Sequence, residues 1–190
     1  MLGIACAIRC IPAYAAGGGS PADTALANIV ALASQRLSQS IPVARYKWVH
    51  KLPIYDAARE GSLKHDMTAA AGQYGADPVF AAQFFADQTE ASRQLQDSLF
   101  TSWRREGGPK EVPDDALMQA RGQISRVSQA MLPALARLQG VRSLPDCQSR
   151  LRQALNDWQT RMVKLDPPQS AALEHALSHV CQGGGPSSSA

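Results

Sequence analysis

From residue 26 onward, apolar side chains recur at helical spacing: Leu26, Ile29, Val30, Ala33 and Leu37. That period predicts an amphipathic helix, with Asp23 or Thr24 placed to cap its start. Pro42 and Pro53 should each kink or briefly interrupt the track rather than end it. It resumes at Asp56, runs to about residue 71, and stops where Gly72 and Gly75 act as breakers. Asp77-Pro78 joins an N-cap to a proline at the first helical position, which predicts a long helix to about residue 106. Its apolar and small side carries Val79, Ala82, Phe85, Thr89, Ser92, Gln96, Leu99 and Trp103. After Gly107-Gly108-Pro109, Asp114 or Asp115 should start a third long helix through Leu138, bent at Pro133. Residues 140–145 read as a turn, 146–165 as a fourth helix, and Asp166-Pro167-Pro168 starts a fifth that ends near Cys181. No strand-length alternating segment stands out. The expected fold is all-α, a single domain of long antiparallel helices.

Composition agrees with this pattern. Ala, Leu and Gln abound while Val, Ile and Thr are sparse, which favours helix over strand. At 190 residues, 45 % hydrophobic and 18 % charged, the chain suits one soluble domain with a real core. The net charge of +3 is spread along the chain, which speaks against a nucleic-acid partner. Residues 1–15 read as an export signal, apolar and small-residue rich, with Ala13-Tyr14-Ala15 in the form of a cleavage site. Arg9 lies inside the apolar run and no basic region precedes it, a pattern that a start codon placed too far downstream would produce. Residues 16–21 form a flexible lead-in, 22–182 the domain, and 183–190 a disordered tail. No later stretch approaches eighteen apolar residues, so the mature form should not enter a membrane and should be periplasmic or secreted. Cys6 and Cys10 fall in the leader. The remaining Cys147 and Cys181 form an even pair that fits an oxidising compartment, and two helices joined by a turn could bring them together. His175 and His179 share a helix face but lack the tight cysteine spacing of a zinc site, so no metal is expected.

The chemistry-bearing groups begin with two cations. Arg36 and Lys47 lie eleven residues apart, almost three helical turns, and interrupt the apolar stripe that includes Leu26, Ile29, Ala33 and Val43. A cation on a core-facing stripe needs an anionic partner or ligand. Two readings are open: a small-anion site, or a salt bridge to Asp56 or Asp87 beside a snorkelling lysine. Thr89, Ser92 and Gln96 share an apolar helix face, and either hydrogen-bond within the core or line the same cavity as the cations. Arg121 is either a second carboxylate fork or a surface arginine; Arg126, about 140° further round the helix, competes with it. Arg59-Glu60 follows Asp56, where the plain reading is an acidic helix start with Arg59 solvated. No Ser-His-acid or Cys-His set and no phosphate loop is apparent. Arginines, a lysine, an amide and one acid suit the binding of a dianion, or stabilisation of charge in a concerted rearrangement.

The ordered series Arg36, Lys47 and then Asp56, Arg59 and Glu60 in D-x-x-R-E, followed by Ser92 and Gln96 and by Arg121, resembles the all-helical chorismate mutases. Within them it is most similar to the secreted class, whose terminal cysteine pair corresponds to Cys147 and Cys181 and implies a disulfide-linked C-terminal helical pair. The resemblance starts at about Ala25 and covers nearly all of the mature chain. It implies an isomerase that converts chorismate to prephenate in the shikimate pathway, with no cofactor and no covalent intermediate. It implies that Arg36 and Arg121 clamp carboxylates, that Lys47 and Gln96 meet the ether oxygen, and that Glu60 accepts from the ring hydroxyl. Ser92 is implied at the ring carboxylate, with Arg59 assisting the polar network and Asp56 orienting its cationic neighbours. The cytoplasmic class borrows an arginine across a dimer. Here Arg121 would supply that role, so a homodimer with a complete site in each protomer is expected. The alternative is an exported helical binding protein for a small dicarboxylate, without turnover.

Overall fold

The computed structural model describes residues 19–182; the expected leader and tail lie outside the described residues. Among the described residues seven α-helices form: α1 (Pro21–Ser38), α2 (Ser40–Val49), α3 (Ala57–Ala71), α4 (Pro78–Glu106), α5 (Ala116–Arg142), α6 (Cys147–Arg161) and α7 (Pro167–Ala176). A short 3-10 turn, Gly72–Tyr74, follows α3. The expected all-α class is what the chain adopts.

Local chemistry sets most of the starts. α1 is capped by Ser20, not by Asp23 or Thr24 as the sequence suggested. The Asp23 N–H donates to Ser20 Oγ (3.2 Å) and the Ser20 N–H to Asp23 Oδ2 (3.1 Å), a reciprocal capping box just before Pro21. Pro42 falls in the first turn of α2, where its missing N–H costs nothing, so only Gln39 separates α1 from α2. Asp56 caps α3 by accepting from the Arg59 N–H at 3.1 Å, and Asp77 caps α4 through the Val79 N–H at 2.8 Å.

The ends depart further from expectation. α5 runs through Gly140 to Arg142, so the turn expected over 140–145 is shorter. Arg142 explains the extension. Its guanidinium lies 3.4 Å from the centroid of the Phe80 ring, and its Nε donates to Val180 O at 3.0 Å. α6 stops at Arg161 rather than 165, and α7 at Ala176, leaving Cys181 beyond the helix. Val79 is 78 % exposed, not on the apolar side. The buried face of α4 runs through Phe80, Phe84, Ala91 and Leu95, and one residue turns the side chain by about 100°.

α1 packs on α5 and α6, and α4 packs on α7, α3 and α2. Leu26, Ile29, Phe84, Phe85, Leu132 and Leu135 fill the space between them. Trp48 of α2 meets Phe100 and Trp103 of α4 with ring centroids 5.2 and 5.6 Å apart. Gly108 closes over this cluster. A Cβ there would sit 2.4 Å from Trp48 Nε1, so the α4–α5 connection can dock only with glycine.

Cys147 opens α6 and is bonded to Cys181, with Cα atoms 5.9 Å apart and both side chains buried. The crosslink closes a separation of 34 residues. On the chain-entropy account a loop of that size contributes about 4 kcal/mol. The double variant Cys147→Ser/Cys181→Ser should therefore lose about 3–4 kcal/mol in denaturant unfolding. Alkylation of the purified parent without reduction should label neither thiol. An unchanged unfolding midpoint in the variant would show the crosslink to be dispensable.

Candidate active site

α1 delivers Arg36 from its last turn, at the end of the stripe that buries Ile29 and Ala33. Its side chain is only 4 % exposed. Nε donates to Ser128 Oγ of α5 (3.3 Å) and Nη1 to the Gln88 carbonyl of α4 (2.8 Å), both neutral acceptors. A guanidinium has five N–H donors, so three remain for something else. The two acids that could have cancelled it are occupied. Asp56 pairs with Arg121 at 2.6 Å, and Asp87 pairs with His179 at 2.8 Å while accepting from Gln83. Burial lowers the Arg36 pKa to about 10, with Arg59 adding to the effect and Glu60 opposing it.

Lys47 stands in the last turn of α2 and is 6 % exposed. Because α1 and α2 are separate helices, the eleven-residue spacing does not lie on one continuous helix; the break at Gln39 nonetheless leaves both cations on one cavity. Nζ donates to the Ile54 carbonyl in the connection to α3. Burial pulls its pKa below the ordinary lysine value; Asp56 and Glu60 pull it back, and Arg121 adds to the lowering.

The cavity holds roughly 510 Å³ of empty space, part of it continuous with solvent. Arg36, Lys47, Ser92, Gln96 and Arg121 all line it, and so do Asp56, Arg59 and Glu60 at the start of α3. All eight come from one chain. Val43, Leu63 and Ile124 add apolar wall. Arg59 is not simply solvated, since its Nη2 donates to Ser125 Oγ of α5 at 3.0 Å. Of the two arginines left open by the sequence, Arg121 lines the cavity; Arg126 is exposed and donates to Gln123.

Gln96 is 4 % exposed. Its Nε2 donates to Ser92 O and Ser92 Oγ, each at 3.1 Å, while Oε1 is buried without a hydrogen-bond partner among the described residues. Three residues escaped the sequence reading. Arg93 lines the cavity, reaches Glu60 Oε2 at 3.4 Å, pairs with Glu90 and lies 5.3 Å from the Tyr55 ring centroid. In sequence, Glu90 and Arg93 resemble an ordinary surface pair three residues apart. Ser40 and Ser128, both fully buried, carry no sequence signal beyond being serines.

The sequence profile described as chorismate mutase type II matches residues 23–97, a span that holds Arg36 through Gln96 but ends before Arg121. A protein named secreted chorismate mutase from Mycobacterium tuberculosis is 31 % identical over 159 residues, 83 % of this chain and 78 % of that protein. The chain belongs to the chorismate mutase family. A second protein of the same name, from Mycolicibacterium smegmatis, is 30 % identical over 88 % of this chain and 94 % of its own. The crystal structure of chorismate mutase from Burkholderia thailandensis superposes with a TM-score of 0.80 at 46 % identity, covering 83 % of this chain and 99 % of that one.

The buried cations of this family member should destabilise its empty form. A lysine whose pKa falls on folding costs stability in full below the lowered value, and the cost is relieved as pH rises. Lys47→Met should therefore melt higher than the parent at pH 7, each kcal/mol recovered being worth about 2–4 °C at this length. The gap should narrow as pH rises from 7 toward the ordinary lysine range and the parent's lysine loses its proton. A variant that melts lower at pH 7 would show that the Ile54 contact outweighs desolvation.

Proposed function

We propose that the chain is an exported chorismate mutase acting on chorismate, a dianion with an ether bridge, and returning prephenate. The observation that carries this reading is the pair of buried cations, Arg36 and Lys47, on one cavity with no acid among the described residues paired to either. The reaction is an isomerisation: the ether C–O bond breaks as a C–C bond forms between the same two fragments, so nothing enters or leaves. The residues then have two tasks. One is to hold the flexible enolpyruvyl arm over the ring, which removes orientational freedom before the bonds change. The other is to present fixed positive charge where negative charge grows.

Arg36 has three N–H groups free for a carboxylate, and Arg121 supplies the second fork from within the same chain. Asp56 holds Arg121 in place. Lys47 meets the ether oxygen, where its poor solvation makes its charge more effective than in water. Gln96 donates to the same oxygen, turning to it an N–H of the amide that rests on Ser92 O and Ser92 Oγ without substrate. Its neutral amide needs no added proton to donate. Glu60, held by Arg93, accepts from the ring hydroxyl, and Ser92 donates to the ring carboxylate. Arg59 braces the cluster through Ser125. A homodimer is consistent with this scheme but the site does not need one. Export is supported by the names of the mycobacterial relatives, both called secreted.

Loss of chorismate absorbance on adding purified protein, with prephenate identified as product, tests the reaction directly. Binding without turnover would favour a dicarboxylate carrier instead. Gln96→Ala should lower kcat at least about tenfold while the fold persists, as expected for one donor lost to developing charge. kcat/KM should fall on the alkaline side as Lys47 of the free protein loses its proton, at a pH below that of an ordinary lysine. Arg121→Ala should cripple turnover and Arg126→Ala should not. Arg36→Ala and Arg121→Ala chains refolded together should not rescue one another; recovery toward half the parent rate in a verified mixed dimer would mean a shared site.

A further inference from the structure

The Ser92 hydroxyl has a partner behind it that the proposed reaction leaves unused. Ser40, the first residue of α2, is 1 % exposed, and its Oγ lies 2.8 Å from Ser92 Oγ. Gln96 Nε2 donates to the same Ser92 Oγ at 3.1 Å. A serine hydroxyl has one proton and two acceptor lone pairs. Either serine could donate to the other, but the two choices are not equal. Ser40 Oγ has no other hydrogen-bond partner among the described residues. If Ser92 donated to it, the buried Ser40 proton would have no acceptor, at the full cost of a desolvated donor. If Ser40 donates, its only proton is satisfied. Ser92 Oγ then receives two donors, from Ser40 and from Gln96, and both lone pairs are filled. Its own proton can only turn away from them, and Ser92 lines the cavity.

We infer that Ser40 is a positioning residue that fixes Ser92 as a donor aimed into the cavity, ready for an anionic oxygen of the substrate. The inference rests on the proposed reaction and adds a residue that never touches substrate. It also couples α2 to α4: the helix that carries Lys47 presets the hydroxyl of the helix that carries Gln96.

Steady-state kinetics on four chains test it. In Ser40→Ala the Ser92 proton is free to rotate, so KM for chorismate should rise about three- to tenfold with kcat within about twofold, the scale of one neutral hydrogen bond. Ser40→Thr keeps the hydroxyl and should restore a near-parental KM. Ser92→Ala should raise KM at least as much as Ser40→Ala. The double variant Ser40→Ala/Ser92→Ala should match Ser92→Ala alone, because Ser40 acts only through Ser92. A packing role would instead multiply the two effects. If Ser40→Ala melts early, Ser40→Cys keeps the volume with a much weaker donor and serves in its place. An unchanged KM in the Ser40 variant, or independent multiplication in the double variant, would overturn the inference. A parent chain without chorismate turnover would instead sink the functional reading, so the two failures are told apart by the parent measurement.

Discussion

The site is built on burying two cations without pairing either one to a carboxylate among the described residues. Desolvating an arginine and a lysine is costly, and proteins usually recover part of that cost with an ion pair. Here Asp56 and Asp87, the acids within reach in sequence, are committed to Arg121 and His179. Arg36 and Lys47 are held by neutral oxygens, which fix direction without cancelling charge. The surrounding helices must then be stable enough to tolerate an electrostatically frustrated centre. The packed face of α4 from Phe80 to Leu95 and the crosslinked C-terminal segment supply that support.

The two halves of the molecule divide this labour. α1 carries apolar side chains along most of its length and the arginine only in its last turn. α4 anchors the α7 end through Gln88, whose Nε2 donates to Ala176 O at 2.7 Å, and turns its carbonyl to Arg36. One residue therefore joins the crosslinked C-terminal segment to the cation. The aromatic cluster of Trp48, Phe100 and Trp103, closed by Gly108, fixes α2 against α4 on the other side of Lys47.

Much of the fold was legible because helix starts are written locally. Asp77-Pro78 predicted the first residue of α4, and the two residues need nothing from elsewhere in the chain to do so. Helix ends were less legible because distant partners decide them. Gly140 reads as a breaker, yet Arg142 stacked on Phe80 holds the helix past it. The eight expected site residues that line the cavity stood out as polar groups on apolar stripes or through the family resemblance. Arg93 did not, since its neighbour Glu90 gave it an ordinary surface explanation, and its second acid, Glu60, is 33 residues away in the chain (93 − 60). Ser40 and Ser92 are 52 residues apart, and no spacing rule connects two serines across that distance.

The anchors of the two cations have an evolutionary consequence. Arg36 is aimed by the Gln88 carbonyl and Lys47 by the Ile54 carbonyl. A backbone oxygen is supplied by every amino acid, so no point substitution at those two positions deletes the acceptor itself. The anchor of Lys47, and one of the two on Arg36, is thereby insulated from drift in the side chains around it, provided the backbone path is kept. Anchors built from side chains, such as the Ser128 hydroxyl on Arg36, would have to be retained one by one.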